Sequence, residues 1–176
     1  MDSNAHRGEF FTDVLEEIKV RDLIPYLRKD ITIPEDMSFS QFKRVFSTSD
    51  QHYFPVVNKD QKLVGIFSIN DVRGVLFEKE IDNVVRMRDI ATFDIIFTTP
   101  SEDLNEVLKK FTIRNIQRIP VVKDDDHSSL IGMLDRREVI QVYNKRIEEM
   151  KSNGDDNGGA DTVPLSAGSE EAAREN

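Results

Sequence analysis

A stretch reading Gln51-His52-Tyr53-Phe54-Pro55-Val56-Val57, then Leu63 to Val72, returns later in the chain as Ile116-Gln117-Arg118-Ile119-Pro120-Val121-Val122, then Leu130 to Val139. The offset is 120 − 55 = 65 residues at the prolines and 132 − 65 = 67 at the glycines. A pattern stated twice predicts two similar units that face each other about a pseudo-twofold axis, with a cleft between them. Function is to be sought in that cleft.

Length supports the same reading. The chain has 176 residues, and each unit spans about 60, a size at which a lone core is marginal. Pairing the units finishes the burial. There is no cysteine, which removes a disulfide frame, a thiolate zinc site and a thiol nucleophile. No apolar run approaches the roughly 18 residues of a membrane span, and no signal peptide is visible, so a soluble, cytoplasmic chain is expected. The net charge is −9, and an acidic balance argues against nucleic acid as a partner.

The expected organisation is a polar lead-in over 1–17, a first unit over 18–80, a second over 84–150 and a disordered acidic tail over 151–176. Met1-Asp2-Ser3-Asn4-Ala5 carries no structural weight, and a helix begins within Asp13 to Ile18. The first unit opens with Val20 to Ile24, then a β-rich Ile31-Thr32-Ile33 closed by Pro34. A helix follows at Phe39, Phe42, Val45 and Phe46, with Ser38 and Gln41 placed as a capping box. Tyr53 to Val57 and Leu63 to Ile69 read as strands joined by Asn58-Lys59-Asp60-Gln61, and Val72, Val75 and Leu76 mark another helix. The second unit repeats the order: Met87 to Ala91, a strand over Ile95-Ile96-Phe97-Thr98, and a helix with Leu104, Val107, Leu108 and Phe111. Strands around Val121 and Ile131 come next, then a helix with Val139, Ile140, Tyr143 and Ile147. Asp103 and Glu106 repeat the cap spacing. The predicted fold class is α+β, two β-α-β-β-α repeats about a pseudo-twofold axis.

That order, with a strand reading apolar-Pro-Val-Val and then Gly-apolar-apolar-Ser-x-x-Asp-apolar, resembles the cystathionine-β-synthase (CBS) domain over about residues 18–146. Two in tandem resemble a CBS pair, or Bateman module. The resemblance implies a cytosolic regulatory module that binds an adenine nucleotide (AMP, ADP or ATP) between its domains and often forms a homodimer shaped as a flat disc. The lead-in, Arg7-Gly8, Asp13-Val14-Leu15, Ile18 and Val20-Arg21-Asp22-Leu23-Ile24, resembles the stretch that joins bacterial ClC-type chloride channels and transporters to their CBS pair. A membrane transport domain is thereby implied as partner. The other reading is a ligand-free dimerisation scaffold of a larger transporter or enzyme.

A nucleoside phosphate needs a carboxylate for the ribose hydroxyls, an apolar slot for the base and donors or cations for the phosphate. Asp71 stands at a predicted helix start, where free N–H groups and the dipole favour phosphate. Ser68 adds a hydroxyl, and Arg73 and Arg118 are candidate phosphate cations. The alternative for Ser68-x-x-Asp71 is a plain capping box. Carried over from the family, the first pocket crosses the units: Ile66, Ser68 and Asp71 join Thr98, Ile116, Gln117 and Arg118. Ile66 and Ile116 would sandwich the base, and core packing is the competing role for both. The mirror pocket places Asp135 and Glu138 opposite Thr32, Gln51 and His52, with two acids where serine and aspartate would stand. It is expected to bind weakly or not at all, although Arg136 and Arg137 partly compensate.

Other residues point to no chemistry. His6, His52 and His127 are scattered and read as surface histidines, so no metal is expected. Asp124-Asp125-Asp126 reads as a solvated charge run in a turn. Lys109-Lys110 and Arg136-Arg137 lie on helix faces or starts. No catalytic residue set is visible.

Overall fold

The computed structural model of the chain describes residues 13–155; the expectations for 1–12 and for most of the tail lie outside them. Local chemistry sets the elements of the first repeat. The Ser38 hydroxyl accepts from the Gln41 N–H at 3.3 Å, and Gln41 Oε1 accepts from the Ser38 N–H at 3.0 Å. That reciprocal cap starts helix α1 (Phe39–Ser47), whose Phe39 and Phe42 are buried. Strands β2 (Tyr53–Val57) and β3 (Leu63–Ser68) form an antiparallel hairpin, and β1 (Ile33–Pro34) adds in parallel to β2. Its turn is held by Asn58, whose side-chain oxygen accepts from the N–H groups of Asp60 and Lys62, while Gln61 takes a left-handed φ of 59°. Pro55 fits a central strand because it stands opposite Ile66, whose N–H and C=O turn the other way, to Thr92. A one-turn helix α2 (Ile69–Val72) comes next.

The second repeat is built likewise, from α3 (Met87–Ile90), α4 (Leu104–Ile113) capped by Asp103, the hairpin β4 (Arg118–Val122) and β5 (Leu130–Asp135), and α5 (Arg136–Asp155). Twofold symmetry reaches single hydrogen bonds. Val20 and Arg21 donate to the carbonyls of Glu102 and Pro100, and their counterparts Met87 and Arg88 donate to those of Met37 and Glu35.

Those bonds show that the opening segments are exchanged. Val14, Leu15, Ile18, Val20 and Leu23, early in the chain, are buried with Leu104, Val107, Phe111, Ile119, Val121, Leu134 and Val139 of the second repeat. Met87, with Val85, Ile90 and Ala91 beside it, completes the core of the first repeat around Phe39, Phe42, Phe54, Val56 and Phe67. Within that core Phe42 meets Phe54 and Phe67 edge-on, both at 5.1 Å between ring centroids. Each opening segment then crosses the partner hairpin at its glycine. A Cβ at Gly65 would stand 2.9 Å from Ala91 Cβ and 3.3 Å from the Thr92 carbonyl, and one at Gly132 would stand 3.1 Å from Leu27 Cβ and 3.2 Å from the Arg28 carbonyl.

The α+β class and the doubled β-α-β-β-α order hold, with four local differences. Ile95 to Phe97 form no strand; Thr98 alone bridges to Val121. β1 covers Ile33–Pro34 rather than the expected Ile31-Thr32-Ile33, and the Ile31 N–H is taken by the Gln51 side chain. The helix expected through Val75 and Leu76 stops at Val72, next to Gly74, which propagates a helix poorly. Helix α5 runs on to Asp155, past the expected boundary at 150.

Gly65→Ala and Gly132→Ala are expected each to lose about 1–3 kcal/mol by overpacking the crossings. Gly74→Ala, where a Cβ meets nothing within 4 Å, should be neutral or slightly stabilising. Urea denaturation of the three variants checks the contrast, and equal effects would refute the role given to the crossings.

Candidate functional site

Exchange of the opening segments brings both repeats to one seam, where two unequal clefts form. The open cleft has a volume of about 350 Å³ and is lined by Tyr53, Ile66, Ser68 and Asp71 from the first repeat and by Thr92, Asp94, Ile96, Arg114, Asn115, Ile116 and Arg118 from the second. Its size lies in the range of small-molecule sites. Ile66 and Ile116 are half-buried there. Asp71 is exposed and caps its own helix: its Oδ2 accepts from the Ser68 N–H at 2.6 Å and from the Ser68 hydroxyl at 2.9 Å. A carboxylate has further lone pairs, so the cap leaves Asp71 able to accept from a sugar hydroxyl. With α2 only one turn long, little dipole is on hand for a phosphate.

Two of the residues assigned to the first pocket lie elsewhere. Thr98 is wholly buried, and its hydroxyl donates to Glu102 at 2.8 Å. Gln117 is exposed and lines a separate cavity of about 450 Å³ along the seam, together with His52, Ser68, Arg118, Asp135 and Arg137. Arg73 lines neither space. Sequence reasoning missed Thr92, Asp94, Ile96, Arg114 and Asn115. Asn115 has a left-handed φ of 50° in the turn after α4, and an asparagine there was the one available signal. Arg114, 3.7 Å from Asp94 at the rim, is the cation a phosphate would meet.

In the mirror cleft the polar side chains are engaged with one another and with the backbone. Arg118, read as a phosphate cation, is buried and bound on both sides, with Nη1 3.0 Å from Asp30 and Nε 3.1 Å from Asp135. Gln51, only 7% exposed, bonds to both backbone groups of Ile31. Thr32 is half-buried beside them, and exposed His52 shares a hydrogen bond between Nδ1 and the Asp50 carbonyl at 2.9 Å. Glu138 accepts from the Asp135 N–H at 3.0 Å, which matches the cap at Ser68 and Asp71. Burial raises the Asp30 carboxyl above its ordinary value, against the pull of Arg118 and Arg28. Burial likewise raises Glu138, in spite of the Asp135 N–H. Burial pushes on Asp135 too, but hydrogen bonds from Arg137 and Arg118 outweigh it and hold this carboxyl below the usual range.

The other charged groups hold structure. Asp126, read as part of a solvated run, binds the Lys62 ammonium and the hydroxyls of Ser128 and Ser129, which joins the two hairpin turns. Asp124 accepts from the Ser101 hydroxyl at 2.5 Å. His127 packs on Phe97 with ring centroids 4.7 Å apart, and His6 lies outside the described residues. Among the described residues no three His, Asp or Glu side chains are grouped so as to hold a metal ion, and no helix is long and apolar enough to cross a membrane.

Comparison with known proteins places this geometry. The family model described as the CBS domain matches residues 20–78 and again 87–145. An uncharacterised protein of Methanocaldococcus jannaschii is 27% identical over 148 residues, 66% of this chain and 87% of its own length. Inosine-5'-monophosphate dehydrogenase of the same organism is 25% identical over 126 residues, and the match spans only 23% of that enzyme. Among solved structures, the CBS domain of a CBS-domain-containing membrane protein from Sphaerobacter thermophilus superposes with a TM-score of 0.60 at 19% identity, covering 78% of this chain and 94% of that one. A CBS domain pair in complex with 5'-methylthioadenosine and S-adenosyl-L-methionine gives 0.57 at 21% identity, covering 73% and 97%.

The Asp30–Arg118–Asp135 cluster predicts a pH signature. In the wild type, the depressed Asp135 contributes stability that is present above its unfolded pKa of about 4 and is lost as pH falls through its folded value. Arg118→Met leaves buried Asp30 without its ion-pair partner and Asp135 with Arg137 alone, and should cost about 3–5 kcal/mol at pH 7. The deficit should shrink towards pH 4 as the acids take up protons. Urea unfolding at both pH values measures it, and a deficit independent of pH would contradict the cluster.

Proposed function

Because the chain belongs to the CBS-domain family and carries two copies of the domain, we propose that it is a regulatory module binding an adenine nucleotide (AMP, ADP or ATP) in the open cleft. One observation carries this reading: Ile66, Ser68 and Asp71 of one repeat and Ile116 of the other line a single cavity. The base lies between the two isoleucines, Asp71 accepts from the ribose hydroxyls, and Arg114 turns from Asp94 to the phosphate. The similar pair complexed with 5'-methylthioadenosine and S-adenosyl-L-methionine supports an adenosine moiety as the shared element. No catalytic step is assigned, and the dehydrogenase match, at 23% of that enzyme's length, supports none.

A ligand that touches both repeats acts through unequal affinity for two arrangements of them. The segment from Val14 to Leu23, packed into the second repeat, is the route by which such a shift leaves the module. In the finer reading the module works as a homodimer at the cytosolic face of a ClC-type chloride channel or transporter. The lead-in resemblance supports the transporter, and apolar side chains left exposed, Phe77 at 88% and Ile113 at 77%, support the homodimer. The second reading, a ligand-free dimerisation scaffold, is favoured by the cap that already engages Asp71.

Calorimetric titration separates the two. The nucleotide module is expected to bind at least one of AMP, ADP and ATP. Asp71→Asn keeps an acceptor for the cap but loses the charge, and should weaken binding about 10- to 100-fold, the worth of a hydrogen bond to a charged group. No heat with any of the three at millimolar concentration, or unchanged affinity in Asp71→Asn, would sink the reading. A scaffold instead shows a melting temperature indifferent to nucleotide.

A further inference from the structure

Symmetry lets one cleft be compared with the other group by group. An offset of 65 carries Gln51 to Ile116 and Ile31 to Ile96. In the mirror cleft the Gln51 carboxamide lies edge-on to the backbone of Ile31. The Ile31 N–H donates to Oε1 at 2.8 Å, and Nε2 donates back to the Ile31 carbonyl at 2.9 Å and on to the Tyr53 carbonyl at 2.7 Å. In the open cleft the Ile116 side chain offers no polar atom, and among the described residues neither the N–H nor the C=O of Ile96 has a hydrogen-bond partner.

We infer that Gln51 is an internal occupant of the mirror cleft. Its carboxamide covers the backbone edge that a heterocyclic base would use, so the chain takes one nucleoside ligand rather than two. The inference deepens the proposed function and rests on it for the identity of the ligand. An acceptor beside an amino group is the pattern adenine shares with a primary amide, so the same backbone edge that Gln51 covers at Ile31 stands open at Ile96. A tethered group acts at an effective concentration near millimolar or above, which a weakly held ligand cannot displace. Behind Gln51, the Asp30–Arg118–Asp135 cluster brings charges already matched to one another, so Arg118 is not free for a phosphate.

The test counts sites with adenosine, which carries no phosphate for Asp30, Asp135 and Glu138 to repel. Calorimetry on the wild type should give one site per chain. Gln51→Ile, which installs the side chain of the open cleft, and Gln51→Ala should each give one site more, with thermal melts confirming that the variants fold. Two sites in the wild type, or folded variants that gain none, would overturn the inference. A wild type with no site and variants that gain one would sink the proposed function and leave Gln51 in its role. Amide hydrogen exchange on the wild type covers the case in which neither variant folds. The Ile96 N–H should become protected when adenosine is added, while the Ile31 N–H is protected from the start and unaffected; a response to adenosine at Ile31 would overturn the proposal.

Discussion

Neither repeat owns a complete core. Leu104, Val107, Phe111 and Val139 pack on Val14 to Leu23, which lead into and open the first repeat, and Phe39, Phe42 and Phe54 pack on Met87. Burying that apolar surface is the main gain of folding, and it is reached only when both opening segments have crossed. Each crossing brings one backbone so close to the partner hairpin that an added Cβ would collide at Gly65 and would crowd its neighbours at Gly132. The seam, the clefts and the mutual orientation of the hairpins all depend on those two contacts.

Duplication supplies equivalent positions, and the seam then treats them differently. Tyr53 and Arg118 occupy matching places at the starts of β2 and β4, yet only Arg118 brings a charge, and its partners Asp30 and Asp135 come from both repeats. Ile116 leaves space where Gln51 fills it. One side of the twofold is thus a built and electrically matched surface, and the other is a cavity with an acid at its mouth. Buried charges are tolerable in the first because each has an opposite partner within hydrogen-bond reach.

Much of this fold was legible in the residues because its determinants are local. Ser38 and Gln41 announce a helix three residues apart, Asn58 to Gln61 announce a turn, and continuous apolar runs around Pro55 and Pro120 announce paired strands. Agreement between two copies strengthened each sign. What escaped was the choice of partners. Periodicity shows that Val14, Leu15 and Ile18 have an apolar face but not which repeat receives it. Arg118 looked free because Asp30 lies 88 residues away. Thr98 looked like a polar lining residue, but the bridge to Val121 turns it inward to Glu102. The one-turn length of α2 likewise depends on Gly74, just beyond its end, rather than on the cap that begins it.

The exchange also bears on what the halves are apart from one another. A polypeptide severed in the loop between Lys79 and Val85 would give a front piece that lacks Met87 and retains Val14 to Leu23, and a rear piece with the opposite gain and loss. Each fragment would carry the missing wedge of its counterpart. Split this way, the protein becomes a complementation pair whose reunion restores both interiors at once.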